Sequence, residues 1–77
     1  MEEDLIQYIA ENLVNDPDQV TVNKKKKGRN IIVELNVASN DMGRVIGKSG
    51  RVANAMRALL RASDTREGRG RIILEIE

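Results

Sequence analysis

The sequence predicts an α+β fold in which helices pack on one face of a three-stranded sheet. Three observations carry this prediction. Apolar residues recur at helical spacing in three segments, they alternate with polar residues in three others, and the six segments follow one another as helix, strand, strand, helix, helix, strand. The chain of 77 residues has room for one domain, and we expect residues 1–77 to form it.

The first helix is predicted to run from about Asp4 to Asn15. Acidic residues at its start suit the positive end of the helix dipole, and the pair Asp16-Pro17 ends it. One apolar stripe is expected to face the core: Leu5, Ile6, Ile9, Ala10, Leu13 and Val14.

After Gln19 the apolar period changes to two, which is typical of strands. Val20 and Val22 belong to a first strand, and the lysine run that follows leads into a hairpin at Gly28. The second strand places Ile31, Val33, Leu35 and Val37 on its core face. The third strand places Ile72, Leu74 and Ile76 on its core face.

Two helical stretches lie between the second and third strands. A short helix that contains Met42, Val45 and Ile46 ends at Gly47, and a second helix runs from about Arg51 to Ala62. The second helix has Val52, Met56, Leu59 and Leu60 at helical spacing. The polar segment 63–70, which contains two glycines, is predicted to be a loop.

The composition argues against enzymatic chemistry. The chain has no cysteine and no histidine, so it lacks a thiolate nucleophile, the commonest general base and the commonest transition-metal ligand. We therefore expect no enzyme activity, no cofactor and no metal. The acidic N-terminus and the absence of an apolar run of roughly 20 residues predict a soluble, cytoplasmic protein without a membrane segment.

Charge is distributed unevenly along the chain. Residues 1–23 contain six acids and no base, whereas residues 24–71 contain all thirteen bases and four acids, a net charge of +9. Such asymmetry indicates either a polyanionic partner or a solvated basic surface, and charge alone leaves both open.

The junction Gly47-Lys48-Ser49-Gly50 has the requirements of a clamp for a phosphate backbone. Two glycines allow a sharp turn and a close approach to a ligand, and the next helix presents its N-terminal amides there. The alternative is an ordinary turn between helices. A P-loop is excluded, because three residues separate Gly43 from Gly47-Lys48-Ser49 where the Walker A pattern needs four.

The run Val45-Ile46-Gly47-Lys48-Ser49-Gly50 with its flanking helices resembles the signature of KH domains, and the element order is similar to the type II arrangement. The segment 41–51 resembles small bacterial single-domain proteins of the KhpA family. Ala53 departs from the signature, which usually has a larger aliphatic residue there, and this departure bears on the local helix packing and the groove width.

The resemblance implies a groove that holds about four nucleotides of single-stranded RNA, with the glycine loop on their phosphate backbone. The implied RNA-binding residues are Arg44, Val45, Ile46, Gly47, Lys48, Ser49, Gly50 and Arg51. It also implies that the first hairpin borders the other side of the groove, where Lys24, Lys25, Lys26, Lys27, Arg29 and Ile32 would contact RNA. The alternative for these lysines is a hairpin kept soluble by charge.

Tyr8 is the single aromatic residue, which argues against RNA recognition by aromatic stacking and predicts modest affinity from one domain. Dimerisation or a second RNA-binding protein would supply avidity. The resemblance implies the same: self-association, a KhpB-type partner, and a role as RNA chaperone or regulator with links to cell elongation. The alternative is a dimerisation module with incidental RNA contact, favoured by Ile32 and Ile73 on the outer strand faces.

Overall fold

A computed structural model describes residues 2–64 and 70–77 of the chain, and it confirms the predicted α+β order. Most of the loop predicted at 63–70 lies outside the described residues. The helices are α1 (Glu2–Leu13), α2 (Met42–Ile46) and α3 (Arg51–Ser63), and the strands are β1 (Thr21–Lys27), β2 (Asn30–Asn36) and β3 (Ile72–Ile76). Short 3₁₀ turns cover Pro17–Gln19, Ser39–Asp41 and Lys48–Gly50.

The sheet has β2 at its centre and the order β1-β2-β3. β1 pairs with β2 antiparallel, whereas β3 pairs with β2 parallel, so that Ile31 lies beside Ile72 and Leu35 beside Ile76. A parallel pair needs a long crossover, and the segment that carries α2 and α3 provides it. β1 and β3 are therefore the two opposite edges of the sheet.

The core lies between the sheet and the helices. Ile31, Val33 and Leu35 are buried, as predicted for the core face of β2, whereas Val37 follows the end of the strand and is half-buried. On β3 Leu74 is buried and its neighbours on the same face are half-buried, because β3 is an edge strand. The helices bury Ile6, Ala10, Val45, Ala53, Met56 and Leu60.

Two leucines that the helical spacing placed in the core are exposed instead. Leu13, the last residue of α1, is 39% exposed, and Leu59 on α3 is 47% exposed. α3 packs on the sheet through Ala53, Met56 and Leu60, and a residue next to Leu60 in sequence points about 100° away around the helix. Two successive leucines therefore cannot both face the sheet.

The first hairpin also differs from its predicted form. All four lysines belong to β1 itself, and only Gly28 and Arg29 form the turn. Because side chains alternate along a strand, Lys24 points to the helix side of the sheet and Lys25 to the outer side. The ammonium of Lys24 lies 2.8 Å from the Glu2 carboxylate, and this hydrogen bond holds the pKa of that carboxyl below its usual value.

Asp41 joins the end of α1 to the start of α2 from a fully buried position. Its two carboxylate oxygens accept hydrogen bonds from the backbone N–H groups of Asn15 and Asp16, each at 3.1 Å, and Nε of Arg44 lies 3.3 Å away. The sequence pattern around Asp41 does not indicate this role. Among the described residues, no helix is long and apolar enough to cross a membrane.

Candidate nucleic-acid interface

The glycine loop turns the chain sharply between α2 and α3. Gly47 has φ 77° and ψ 172°, and Gly50 has φ 76° and ψ 15°. Ser49 between them also has a positive φ of 57°, and the N–H of Gly50 donates to the carbonyl oxygen of Gly47 at 3.1 Å. Three positive φ values within four residues explain why two of the positions are glycine.

The two glycines are needed for different reasons. A Cβ on Gly47 would lie 2.5 Å from Cγ2 and 2.9 Å from the backbone nitrogen of Val52, so the loop folds directly against the start of α3. A Cβ on Gly50 would meet nothing nearer than 3.8 Å. Gly47 therefore fixes the loop against its own helix, whereas the space around Gly50 is open to a ligand.

An open groove of about 510 Å³ runs between the glycine loop with α3 on one side and β3 on the other. Ile46 and Ala53 line its helical wall, and Leu74 and Ile76 line its strand wall. The short side chain at Ala53, where KH signatures usually have a larger one, leaves room in the middle of the groove. The walls are thus mostly aliphatic, and Ile46 is exposed there.

Arg57 lines the groove beyond the loop and brings a positive charge to it. Its Nη1 donates to Oδ1 of Asn54 at 3.1 Å, and its Nη2 donates to the carbonyl oxygen of Leu74 at 3.5 Å. These two contacts hold the guanidinium across the groove between helix and strand. The remaining donors of the guanidinium can reach a ligand without a change of side-chain position.

The free edge of β3 presents backbone groups to the groove. The N–H of Glu77 donates to Leu35 at 2.7 Å, and the carbonyl of Glu77 accepts from Val37 at 3.2 Å, so Glu77 bonds toward β2. In a parallel ladder the alternate residues point their N–H and C=O groups the other way. Ile76 therefore offers one donor and one acceptor to the groove.

The two sides of the groove differ in charge. Lys48 and Arg51 are exposed on the loop side, whereas Glu75 and Glu77 line the strand side. The carboxylates of Glu34, Glu75 and Glu77 lie within 4.8 Å of one another, a spacing that a metal ion could bridge, and Lys25 approaches Glu34 at 3.4 Å. A phosphate backbone is favoured on the loop side, and bases are favoured toward the strand.

The structure brings only some of the predicted site residues to the groove. Ile46 and Gly50 line it, and the loop residues between Gly47 and Gly50 stand at its mouth. Val45 was predicted to form a wall, but it is fully buried in the core. α2 has only five residues, too few for the sequence pattern to distinguish its two faces.

The hairpin residues are not among those that line this groove, and their contact with RNA stays a prediction. Ile32 lies on the outer face of the sheet, away from the helices, where it pairs with Ile73. The lysines of the hairpin lie on β1, the edge opposite β3: Lys24, Lys25, Lys26 and Lys27. Arg29 lies in the turn, where its carbonyl oxygen accepts a hydrogen bond from the N–H of Gly70, just before β3, at 3.2 Å. The strand order puts β2 between the four lysines and the groove.

Several groove residues were missed in the sequence. Arg57 could have been found, because it lies four residues after Ala53 and so on the same helix face. The groove residues on β3 could not have been found, because the sequence pattern does not show which strand forms the sheet edge next to the loop.

Comparison with known proteins supports a common family. The family model described as KhpA/KhpB, KH domain, matches residues 3–76. The chain is 48% identical over 73 residues to the RNA-binding protein KhpA of Caldanaerobacter subterraneus, which covers 95% of this chain and 96% of that protein.

A second relative, the RNA-binding protein KhpA of Treponema pallidum, is 56% identical over 63 residues, or 82% of this chain and 79% of that protein. No solved structure gave a significant match. Both the family model and these relatives span most of the chain. The chain belongs to the KhpA/KhpB family of KH-domain proteins.

Proposed function

We propose that this protein binds single-stranded RNA in the groove between the glycine loop and β3. The relatives are named RNA-binding proteins, and the family is defined by its KH domain. The observation that carries the proposal is the position of Gly47–Gly50, at the N-terminus of α3 and facing the free edge of a strand. Backbone amides and cations meet the phosphates there, while the groove takes the bases.

The charges indicate which part of the RNA each part of the groove binds. Lys48 and Arg51 attract phosphate oxygens at the mouth of the groove, and the start of α3 adds its dipole. Bases that enter the groove contact the aliphatic walls and the backbone groups of Ile76. We infer that the backbone contacts supply most of the affinity, so that binding weakens with salt and is only mildly selective.

Weak, reversible binding of this kind suits an RNA chaperone or post-transcriptional regulator, which is the role we propose. None of the described residues that line the groove is aromatic, so the stacking that tightens other single-strand binders is absent from it. The mechanism requires no catalysed reaction. We accordingly propose a non-enzymatic function.

Replacing Lys48 and Ser49 together with aspartate is expected to weaken RNA binding by at least about tenfold at 0.15 M salt. The change keeps both glycines, and it places negative charge where the phosphates would lie. Fluorescence anisotropy with a labelled twelve-nucleotide single-stranded RNA measures the effect. Circular dichroism establishes that the variant is folded.

A matched control carries the same charge change away from the groove. Asn12→Asp, Gln19→Glu and Thr21→Glu add three negative charges at exposed positions near the C-terminal end of α1 and the start of β1. We expect this control to keep most of the parent's affinity. An aspartate loop variant that is folded and binds as tightly as the parent would show that the loop does not hold RNA.

A second candidate function is self-association through the outer surface of the helical layer. Leu59 on α3 is 47% exposed, and Ala55 and Ala62 lie beside it at helical spacing and are also exposed, as is Ala58, which precedes Leu59 in the sequence. Small residues around one large apolar residue allow two helices to approach closely. The apolar pair on the sheet, Ile32 and Ile73, is less exposed.

The charges of this layer favour a second copy of the chain as the occupant. α1 carries four acids and no base, and α3 carries three arginines and no acid. α1 and α3 pack side by side in the helical layer. In a twofold-symmetric dimer formed through this layer, the basic α3 of one copy would lie near the acidic α1 of the other. A related KH domain of the KhpB type would meet the same surface.

Leu59→Lys is expected to convert a dimer of twice 8.6 kDa into a monomer, because it places a cation at the centre of the apolar contact. Light scattering across a range of protein concentrations measures the mass. Ile73→Lys on the outer sheet face is the control and should stay dimeric. A parent that remains at 8.6 kDa throughout, or a control that alone becomes monomeric, contradicts this interface.

A further inference from the structure

We propose that the β1 edge of the sheet is a second RNA-binding surface, separate from the groove, which holds a further stretch of RNA by its phosphate backbone. We call residues 24–29 the basic edge. This inference rests on the proposed function, since it assumes that RNA is the ligand of the groove. It gives a role to five cations that do not line the groove.

The composition of the basic edge is the first argument. It carries four lysines and Arg29 without one acid, and β1 is unpaired on its outer side in the described sheet. Lys24 bonds to Glu2 and Lys25 approaches Glu34. Lys26 and Lys27 are exposed, and within residues 2–64 and 70–77 neither ammonium has an ion-pair partner. Two cations at least are therefore available to a polyanion.

The arrangement of the side chains is the second argument. Lys24 and Lys26 point to one side of the sheet, whereas Lys25 and Lys27 point to the other. Cations on the same side are two residues, or about 7 Å, apart along the strand. The result is a ridge of positive charge along an open edge, which suits a flexible phosphate backbone better than a flat protein surface.

The position of the edge separates it from the groove. Lys26 lies beside Ile31, which lies beside Ile72 at the start of β3, whereas the groove reaches the other end of that strand at Ile76. The groove residue on β3 nearest to this level is Leu74, two residues after Ile72, so the two sites are about 7 Å apart along the strands and about 10 Å apart across them. An RNA strand held in the groove must pass β2 to reach the basic edge.

The charge of the outer face of the sheet also disfavours an RNA strand that runs across this face from the groove to the basic edge. Glu34, Glu75 and Glu77 form a negative cluster there at the groove end of the strands. An RNA strand that ran from the groove across this face would meet like charge. The edge therefore takes a distant part of a long RNA or a second strand, and one copy of the protein can hold two segments near each other.

The test compares two uridine oligomers, U5 and U30, on the parent and on the double variant Lys26→Gln, Lys27→Gln. U5 fills only the groove, so its affinity should stay within about twofold of the parent. U30 reaches both surfaces, and its affinity should fall by roughly three- to tenfold at 0.1 M salt. The slope of log affinity against log salt for U30 should shrink by about 1.4, at about 0.7 per lost lysine contact.

Two further variants complete the experiment. Lys26→Arg with Lys27→Arg preserves the charge and should bind U30 like the parent. The aspartate loop variant at Lys48 and Ser49 should lose U5 but keep residual U30 binding, which the added glutamine substitutions then abolish.

The outcomes separate the two proposals. An unchanged U30 affinity in the glutamine variant overturns the second surface, whether or not that variant aggregates. Aggregation would then show that the edge lysines protect the strand from pairing with another chain. Equal losses for U5 and U30 overturn it too, because the lysines would then act on the groove. A parent that binds neither oligomer overturns the proposed function itself.

Discussion

Gly47→Ala is expected to lower the free energy of unfolding by about 3 kcal/mol or more. The backbone at Gly47, with φ 77° and ψ 172°, lies in a region that residues with a Cβ hardly enter. The added methyl group would also stand 2.9 Å from the backbone nitrogen of Val52, which cannot move without moving α3. Urea unfolding followed by circular dichroism measures the loss, and RNA affinity should fall with it.

Two other glycines give a graded control series. Gly50→Ala has open space, with its nearest neighbour at 3.8 Å, so only its left-handed backbone costs about 1–2 kcal/mol. Gly43 lies in α2, where an added methyl group would meet nothing within 4 Å, and alanine there should raise stability by about 0.5–1 kcal/mol. Equal effects at Gly43 and Gly47 would contradict the role given to Val52.

Local periodicity explains what the sequence could predict. The buried residues of β2 alternate over five positions, and a pattern of that kind has one structural interpretation. The glycine loop was predictable for the same reason, since two glycines bracketing two polar residues demand a turn whatever surrounds them. Each of these features depends on neighbours along the chain.

The features that could not be predicted depend on contacts between distant segments. Strand order put β3, not the lysine hairpin, beside the loop, and nothing in either strand's own pattern encodes its neighbour. Leu59 and Leu60 are both suitable core residues, and only the angle at which α3 crosses the sheet decides between them. Asp41 stands just before α2 in the sequence, whereas the backbone N–H groups that donate to it lie 25 and 26 positions earlier.

Asp41→Ala is expected to cost about 2–3 kcal/mol of folding stability. The carboxylate is fully buried, and its loss leaves the N–H groups of Asn15 and Asp16 without their acceptor. The two hydrogen bonds that link the end of α1 to the start of α2 are then lost, and α2 is the helix that leads into the glycine loop. Urea unfolding gives the energy, and hydrogen exchange at the two amides shows whether the fastening is lost.

Two variants separate the backbone bonds from the ion pair. Arg44→Gln removes the contact at 3.3 Å but leaves the backbone bonds, and because Arg44 is half exposed it should cost less than about 1 kcal/mol. Asp41→Asn keeps one acceptor and turns an amide donor toward the other N–H, so it should fall between the two. Exchange at Asn15 and Asp16 should therefore accelerate in both Asp41 variants and stay slow in Arg44→Gln. If Arg44→Gln accelerated it equally, the ion pair rather than the two backbone bonds would hold α1 to α2, and the anchor of the glycine loop would be an electrostatic contact at the surface.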